Sequence, residues 1–275
     1  MVVFNEFKHT FLTNVHTIPF RHIQQIAQNV TKAFPRAITN AELVSKVTGA
    51  LSSYGYGDSS LLATSLCCDE VNRVLEKDFS AAYGDNFSMG GLAGFPFGGV
   101  VSFGAMAHHI PTDGSCLIVY GPHVGIDKDG NVGLVERRGI HGKSCICCGS
   151  AAAAAGYVAS VHSGESPPPS DLAPAAVDAQ QAYVGSLLLP HAARLAKSPE
   201  PNVELPLALY DAQKEMMEEI VAKGCQEVGG DGKIALLGGI QINTVEGESD
   251  YFLPLDFKVM SNKAALIKDL NTLFN

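Results

Sequence analysis

The chain has 275 residues, enough to bury a large core, and its 46% apolar and 17% charged composition is that of a folded globular protein. A net charge of -9 argues against binding to nucleic acid or to an anionic membrane surface. No apolar run reaches about 18 residues, so no membrane span is expected, and the N-terminus lacks the basic-then-apolar pattern of a signal peptide.

In chain order, residues 1–50 read as helical. Ile23, Ile26 and Val30 keep helical spacing up to Pro35, and Leu43, Val44, Val47 and Leu51 form one side of a second helix whose start at Thr39 has capping character. His9, His16 and His22 fall here without a thiol or carboxylate at ligand spacing, so they read as ordinary surface or core histidines. Leu61, Leu62 and Ala63 mark a buried strand, and Val71, Val74, Leu75 and Phe79 an amphipathic helix after it. The corner between them, Ser65–Arg73, carries Cys67, Cys68, Asp69 and Arg73. Asp69 and Arg73 are four apart, so on one helical face they meet as a pair. Strand ends of this kind are where open α/β sheets bind ligands.

Residues 88–104 hold six glycines, but neither phosphate-loop nor dinucleotide fingerprint. One reading is tight packing under a neighbouring element; the preferred one is an apolar pocket wall made by Phe95 and Phe97 around Pro96. A short helix over Val100–Ile110 carries His108 and His109. Ser115–Gly121 is a buried strand ending at His123, the same kind of place that Cys67 occupies. Asp127–Gly130 reads as a turn, too poor in ligands for calcium, from which Asn131–Arg138 returns as the second strand of a hairpin.

Cys145, Cys147 and Cys148 precede the helix-forming run Ala151–Ala155, where the helix dipole lowers a thiol's pKa. Residues 162–175 and 198–206 are proline-rich connections around a helix at 176–196, broken by Pro190. A helix over Leu207–Lys223, a strand hairpin over Lys233–Thr244 and Tyr251–Met260, and a terminal helix over Lys263–Phe274 complete the chain. This order predicts an α/β fold with a mixed, mostly parallel sheet flanked by helices, a single domain over 1–275 with a helical N-terminal segment.

Seven cysteines cannot all pair, and adjacent thiols are poor disulfide frameworks but good soft-metal ligands. Cys67 and His123 at strand ends, with Cys147 or Cys148 at a helix start, make a plausible three-ligand zinc centre with a fourth place for water, and Asp69 held by Arg73 is placed to orient that water. A Cys148 nucleophile with His123 or His141 as base competes, but leaves Cys67 and Asp69 unexplained. A closed structural zinc in a binding protein is the third reading.

The run Leu92–Pro111 (LAGFPFGGVVSFGAMAHHIP) and then Cys116–Gly125 (CLIVYGPHVG) resembles the algal low-CO2-inducible B/C protein family, which includes the theta-type carbonic anhydrases of diatoms. The resemblance extends from Phe20 to the C-terminus. It implies a fold like that of beta-type carbonic anhydrases, a homodimer, and zinc held by Cys, His and Cys. The beta-type signature is Cys-x-Asp-x-Arg followed by His-x-x-Cys-Gly. Cys67-Cys68-Asp69 matches its first part and selects Cys67, whereas Arg73 lies four residues past the aspartate instead of two, and position 126 is Ile. Cys148-Gly149 is the next Cys-Gly, so the implied ligands are Cys67, His123 and Cys148, with Cys147 and His109 as alternates. The implied activity is reversible hydration of CO2 to bicarbonate by attack of zinc hydroxide, with Phe95 and Phe97 walling the substrate pocket. The alternative is an inactive zinc-binding relative serving as a partner in a CO2-concentrating mechanism. The expected compartment is the chloroplast in an alga and the cytoplasm in a bacterium.

Overall fold

A computed structural model describes residues 20–137, 143–167 and 176–275. His9, His16 and His141 lie outside the described residues, and of His22 only the backbone, in the first helix, is described. The helices and strands run α1 (Phe20–Ala33), β1 (Ile38–Thr39), α2 (Asn40–Ser52), β2 (Ser60–Ser65), α3 (Arg73–Tyr83), β3 (Asn86–Ser88), α4 (Gly99–Ala107), β4 (Ser115–Tyr120) and β5 (His123–Gly125) in the first half. Then follow β6 (Leu134–Glu136), β7 (Ser144–Ile146), α5 (Gly149–His162), α6 (Ala179–Leu188), α7 (Ala192–Lys197), α8 (Pro201–Gly224), β8 (Lys233–Asn243), β9 (Tyr251–Ser261) and β10 (Leu266–Asp269).

The main sheet has the order β1-β9-β8-β4-β2-β3, with β5 added to β8 and β10 to β9. Its centre is parallel: β3, β2, β4 and β8 run the same way, while β9 returns antiparallel on β8. The α/β expectation of a mixed, mostly parallel sheet with flanking helices therefore holds. The strands read as continuous apolar runs because both faces are covered, and their side chains alternate between two cores. Ile118, Tyr120, Ile234 and Leu236 pack with Met217, Ile220 and Val221 of α8 on one face. Leu117, Val119, Ala235 and Leu237 pack on the other with Leu43, Val47 and Leu51 of α2 and Leu75 and Phe79 of α3. Thr39 caps α2 by accepting the Glu42 N–H at 3.3 Å, as its sequence position predicts.

The glycine run is tight packing. A Cβ on Gly90 would lie 2.0 Å from the Leu66 carbonyl oxygen, and one on Gly94 would lie 2.5 Å from that of Gly121. This close approach locks the segment after β3 beneath the corner that bears Cys67. Ser65 and Gln213 complete the lock: the Ser65 hydroxyl donates to the Gly94 carbonyl at 2.8 Å, and the Gln213 amide donates to the Ser65 carbonyl at 3.0 Å.

Several elements differ from expectation for physical reasons. The terminal segment forms no long helix: Leu266–Asp269 adds a strand to the open edge of β9, and only 271–274 curl into a 3-10 turn. Backbone pairing at an open edge outweighs a weak helical pattern. The 198–206 connection is largely helix, because α8 starts at Pro201, a first-turn position where no N–H is needed. The Asp127–Gly130 turn closes only a bridge between Ile126 and Val132, and the return segment pairs instead with β7, just before the cysteines.

Candidate metal centre

β2 and β4 are adjacent and parallel, so their C-terminal ends lie side by side and present Cys67 and His123 to the same space. The third element, α5, begins at Gly149 and directs Cys148 there. Cys67, His123 and Cys148 are 3%, 2% and 5% exposed, and their ligand atoms all lie within 4.8 Å of one another. The two sulfurs are 3.7 Å apart. That is too long for a disulfide, and it matches the roughly 3.8 Å edge of a tetrahedron built on zinc–sulfur bonds of about 2.3 Å. All seven cysteines are free.

The histidine is oriented from behind. Asn243, at the C-terminal end of β8, donates its amide to the Val71 carbonyl at 3.2 Å and to Asp250 at 3.1 Å. Its carbonyl oxygen is thereby turned to His123 Nδ1 at 2.9 Å. A carbonyl only accepts, so Nδ1 carries a proton and Nε2 is the nitrogen left to a metal. Nε2 is buried with no hydrogen-bond partner among the described residues, 3.9 Å from Asp69 Oδ2. An orphaned imidazole nitrogen in a histidine clustered with two buried thiols fits a soft divalent metal.

The thiols are electrostatically unequal. Hydrogen bonding to Cys148 and then burial push the Cys67 thiol up to about 12. The same bond from Cys67 outweighs burial at Cys148 and, helped by the Ala151 and Ser150 N–H groups at the start of α5, holds its thiol below the usual value. Burial works against a proton on His123, but the surrounding thiols, Cys147 first, outweigh it and raise its affinity for one. A cluster that holds protons this way without a metal would release them on binding one.

Asp69 is clamped by Arg137, whose two terminal nitrogens donate to the two carboxylate oxygens at 2.7 Å each. Burial raises the Asp69 pKa, yet the bond from Arg137 overcomes it and keeps the carboxyl well below the usual range. Arg137 also reaches Glu70 at 2.5 Å. A cavity of about 380 Å³ adjoins the cluster, reaching His123, Cys147 and Cys148 and walled by Val132, Leu134 and Leu209 among others.

The profile of the family described as limiting CO2-inducible proteins B/C beta carbonic anhydrases matches residues 37–261. The chain belongs to this family. It is 47% identical to PtLCIB4, a homolog of the limiting CO2-inducible protein LCIB, over 89% of this chain and 99% of that one, with a TM-score of 0.83. It also shares the fold of the limiting CO2-inducible protein LCIB itself, at 19% identity, 86% and 96% coverage and a TM-score of 0.64. No curated protein matches the chain.

Three expectations about the site need correction. Arg73 does not pair with Asp69: residues 70–72 form a 3-10 turn capped by Asp69, and the helix starts only at Arg73, so the two never share a helical face. Arg73 instead donates to the Cys67 carbonyl at 2.7 Å and pairs with Glu76 at 2.9 Å. The wall of Phe95 and Phe97 is misplaced. Phe95 is wholly buried in the core cluster that contains Cys67 and Cys148, and Phe97 lines a different cavity with Tyr183 and Met216. Neither lines the cavity beside His123. His109 is exposed and stands edge-on to Phe87, apart from the cluster.

Cys147 and Cys148 divide the space around His123. Cys148 faces Cys67, while Cys147 Sγ lies 3.4 Å from the Nδ1 side and forms a second grouping with Asp69 and His123. Sequence reasoning missed Arg137 and Asn243. Asn243 had a usable signal, since it ends a third parallel strand at the same sheet edge. Arg137 had one only in its position shortly before the cysteine run.

Proposed function

We propose that the protein is a zinc-dependent carbonic anhydrase that interconverts CO2 and bicarbonate. The observation that carries this is the cluster of Cys67, His123 and Cys148, whose ligand atoms lie within 4.8 Å of one another around a ring that Asn243 holds at Nδ1 and whose Nε2 has no partner among the described residues, in a chain of this family. Cys67, His123 and Cys148 would hold the metal, and zinc in such a site supplies a Lewis acid and a water acidified to a pKa of about 7.

The chain's own residues do the remaining work. Asp69, ionised under the Arg137 clamp, accepts a hydrogen bond from the attacking water and aims its lone pair. The apolar walls of the adjoining cavity accept CO2, a small neutral molecule, and keep bulk water from it. Arg137 holds Asp69 charged through the cycle, so the proton leaves toward solvent instead of resting on the carboxylate. We place the working form as a homodimer, in the chloroplast if the source is an alga.

Asp69→Ala tests the assignment. It should abolish hydration while zinc stays bound; retention of both would remove Asp69 from the mechanism. One observation favours a second reading, an inactive zinc-binding partner in a CO2-concentrating mechanism. Position 71, where the beta-type signature has its arginine, is Val, so the clamp comes from a different element. Zinc binding without CO2 hydration would establish that reading.

A further inference from the structure

Two cavities adjoin along one face of α5. The inner one, about 380 Å³, reaches His123 and Cys148 and is lined by Ala151 and Ala152. The outer one, about 210 Å³, is lined by Ala155, Val158 and Ala159 further along the same helix, and by Ala192 and Leu195 of α7. Asn202 and Leu205 of α8 line both. The α5 residues follow one another at helical spacing, so a single face leads from the cluster outward to His162, which is exposed.

We propose that this face is the entry route for CO2, an apolar passage from the His162 end of α5 to the metal centre with Leu205 as its gate. The proposal rests on the carbonic anhydrase reading above. Asn202 is pinned, since its amide donates to the Val132 carbonyl at 3.0 Å. Leu205, half-buried and without a polar anchor, is the movable part of the shared wall. Methyl-sized side chains leave room for a linear triatomic molecule between α5 and α7. Among the described residues, the polar side chains in the outer lining are those of His162 and Asn202. An anion loses its hydration there without compensation, whereas CO2 has little to lose. The passage therefore admits the neutral substrate and rejects bicarbonate, whose exit is the polar side at Asp69 and Arg137. The alanines at 151–155 thus do more than favour a helix.

The test compares zinc-loaded wild type with Ala155→Phe and Leu205→Phe, which fill the outer cavity and the gate without touching a candidate ligand. Stopped-flow CO2 hydration should show kcat/KM lowered about tenfold, a plausible penalty for hindered access. Zinc content, and inhibition by cyanate, an anion that arrives by the polar side, should stay as in wild type. Crystals pressurised with xenon should show a xenon atom in the outer cavity of wild type and none in Ala155→Phe. Unchanged kcat/KM in both variants, or no xenon in the wild-type cavity, overturns the passage. Equal losses in hydration and in cyanate affinity also overturn it, because they report a distorted metal centre. Wild type that binds zinc and xenon but does not hydrate CO2 overturns the enzyme reading and with it the CO2 route, leaving a gas-accepting cavity.

Discussion

At the scale of single residues, the site depends on what stands behind its ligands. Asn243 is committed on its amide side to Val71 and Asp250, so its oxygen can only face His123. Asn243→Ala should therefore weaken zinc binding by about 10–100-fold, the usual cost of losing such a supporting partner. Competition with a chelator of known affinity measures it, and an unchanged affinity would remove Asn243 from the centre. The two arginines separate in the same way. Arg137→Ala frees the Asp69 carboxylate and should lower kcat/KM by about 10–100-fold at constant zinc content. Arg73→Ala should leave kcat/KM near wild type and lower Tm by a few degrees, about 1 kcal/mol of hydrogen bonding to the Cys67 carbonyl. Steady-state kinetics and thermal melts of the pair read this directly, and the reverse ranking would restore the signature-like role of Arg73.

At the scale of elements, the clamp is only as firm as the β6–β7 ladder that Arg137 directly follows. Asp127 holds that ladder to the turn before it. Its carboxylate accepts the Asp129 and Asn131 N–H groups at 3.0 and 2.9 Å, the Asn131 amide at 3.1 Å and the Ser144 hydroxyl at 2.8 Å. Burial raises the Asp127 pKa, but these bonds, Asn131 first, outweigh it and place it below the ordinary value. The folded chain then takes up this proton less readily than the unfolded chain. The stabilisation is full above the unfolded pKa of about 4 and disappears as pH falls through the folded value. Melting wild type and Asp127→Asn from pH 7 to pH 3 should show wild type more stable at neutral pH and the difference closing below about pH 4. A constant difference would mean that the charge is not what holds the ladder.

The same elements show what a sequence reveals. Cys67 and His123 were legible because each closely follows an apolar strand, and Cys148 because a run of alanines announces a helix start. The Asp69–Arg73 pair was misread because spacing of four implies contact only inside a helix, and a 3-10 turn intervenes. Arg137 and Asn243 reach the site through strand pairing across long stretches of sequence, which local periodicity does not encode. The terminal strand Leu266–Asp269 was hidden for the same reason, since its partner β9 decides its conformation.

At the scale of the whole molecule, the parallel centre of the sheet explains why the site exists where it does. Strands β2, β4 and β8 end at one edge and deliver Cys67, His123 and Asn243 respectively. Two cores stabilise this arrangement, one against α2 and α3 and one against α4 and α8. Helices α5 and α8 then close the edge with Cys148 and the cavity walls. Among the described residues no helix is long and apolar enough to cross a membrane. The architecture thus spends its regular strands on position and its irregular corners on chemistry. CO2 hydration by stopped-flow pH indicator, made on protein whose zinc has been quantified in the same sample, decides whether the cluster is a catalytic zinc centre. The expected result is about one zinc per chain, with hydration lost in Cys67→Ser together with the metal. Full zinc occupancy with no hydration above the buffer rate, or hydration that persists in Cys67→Ser, would contradict it.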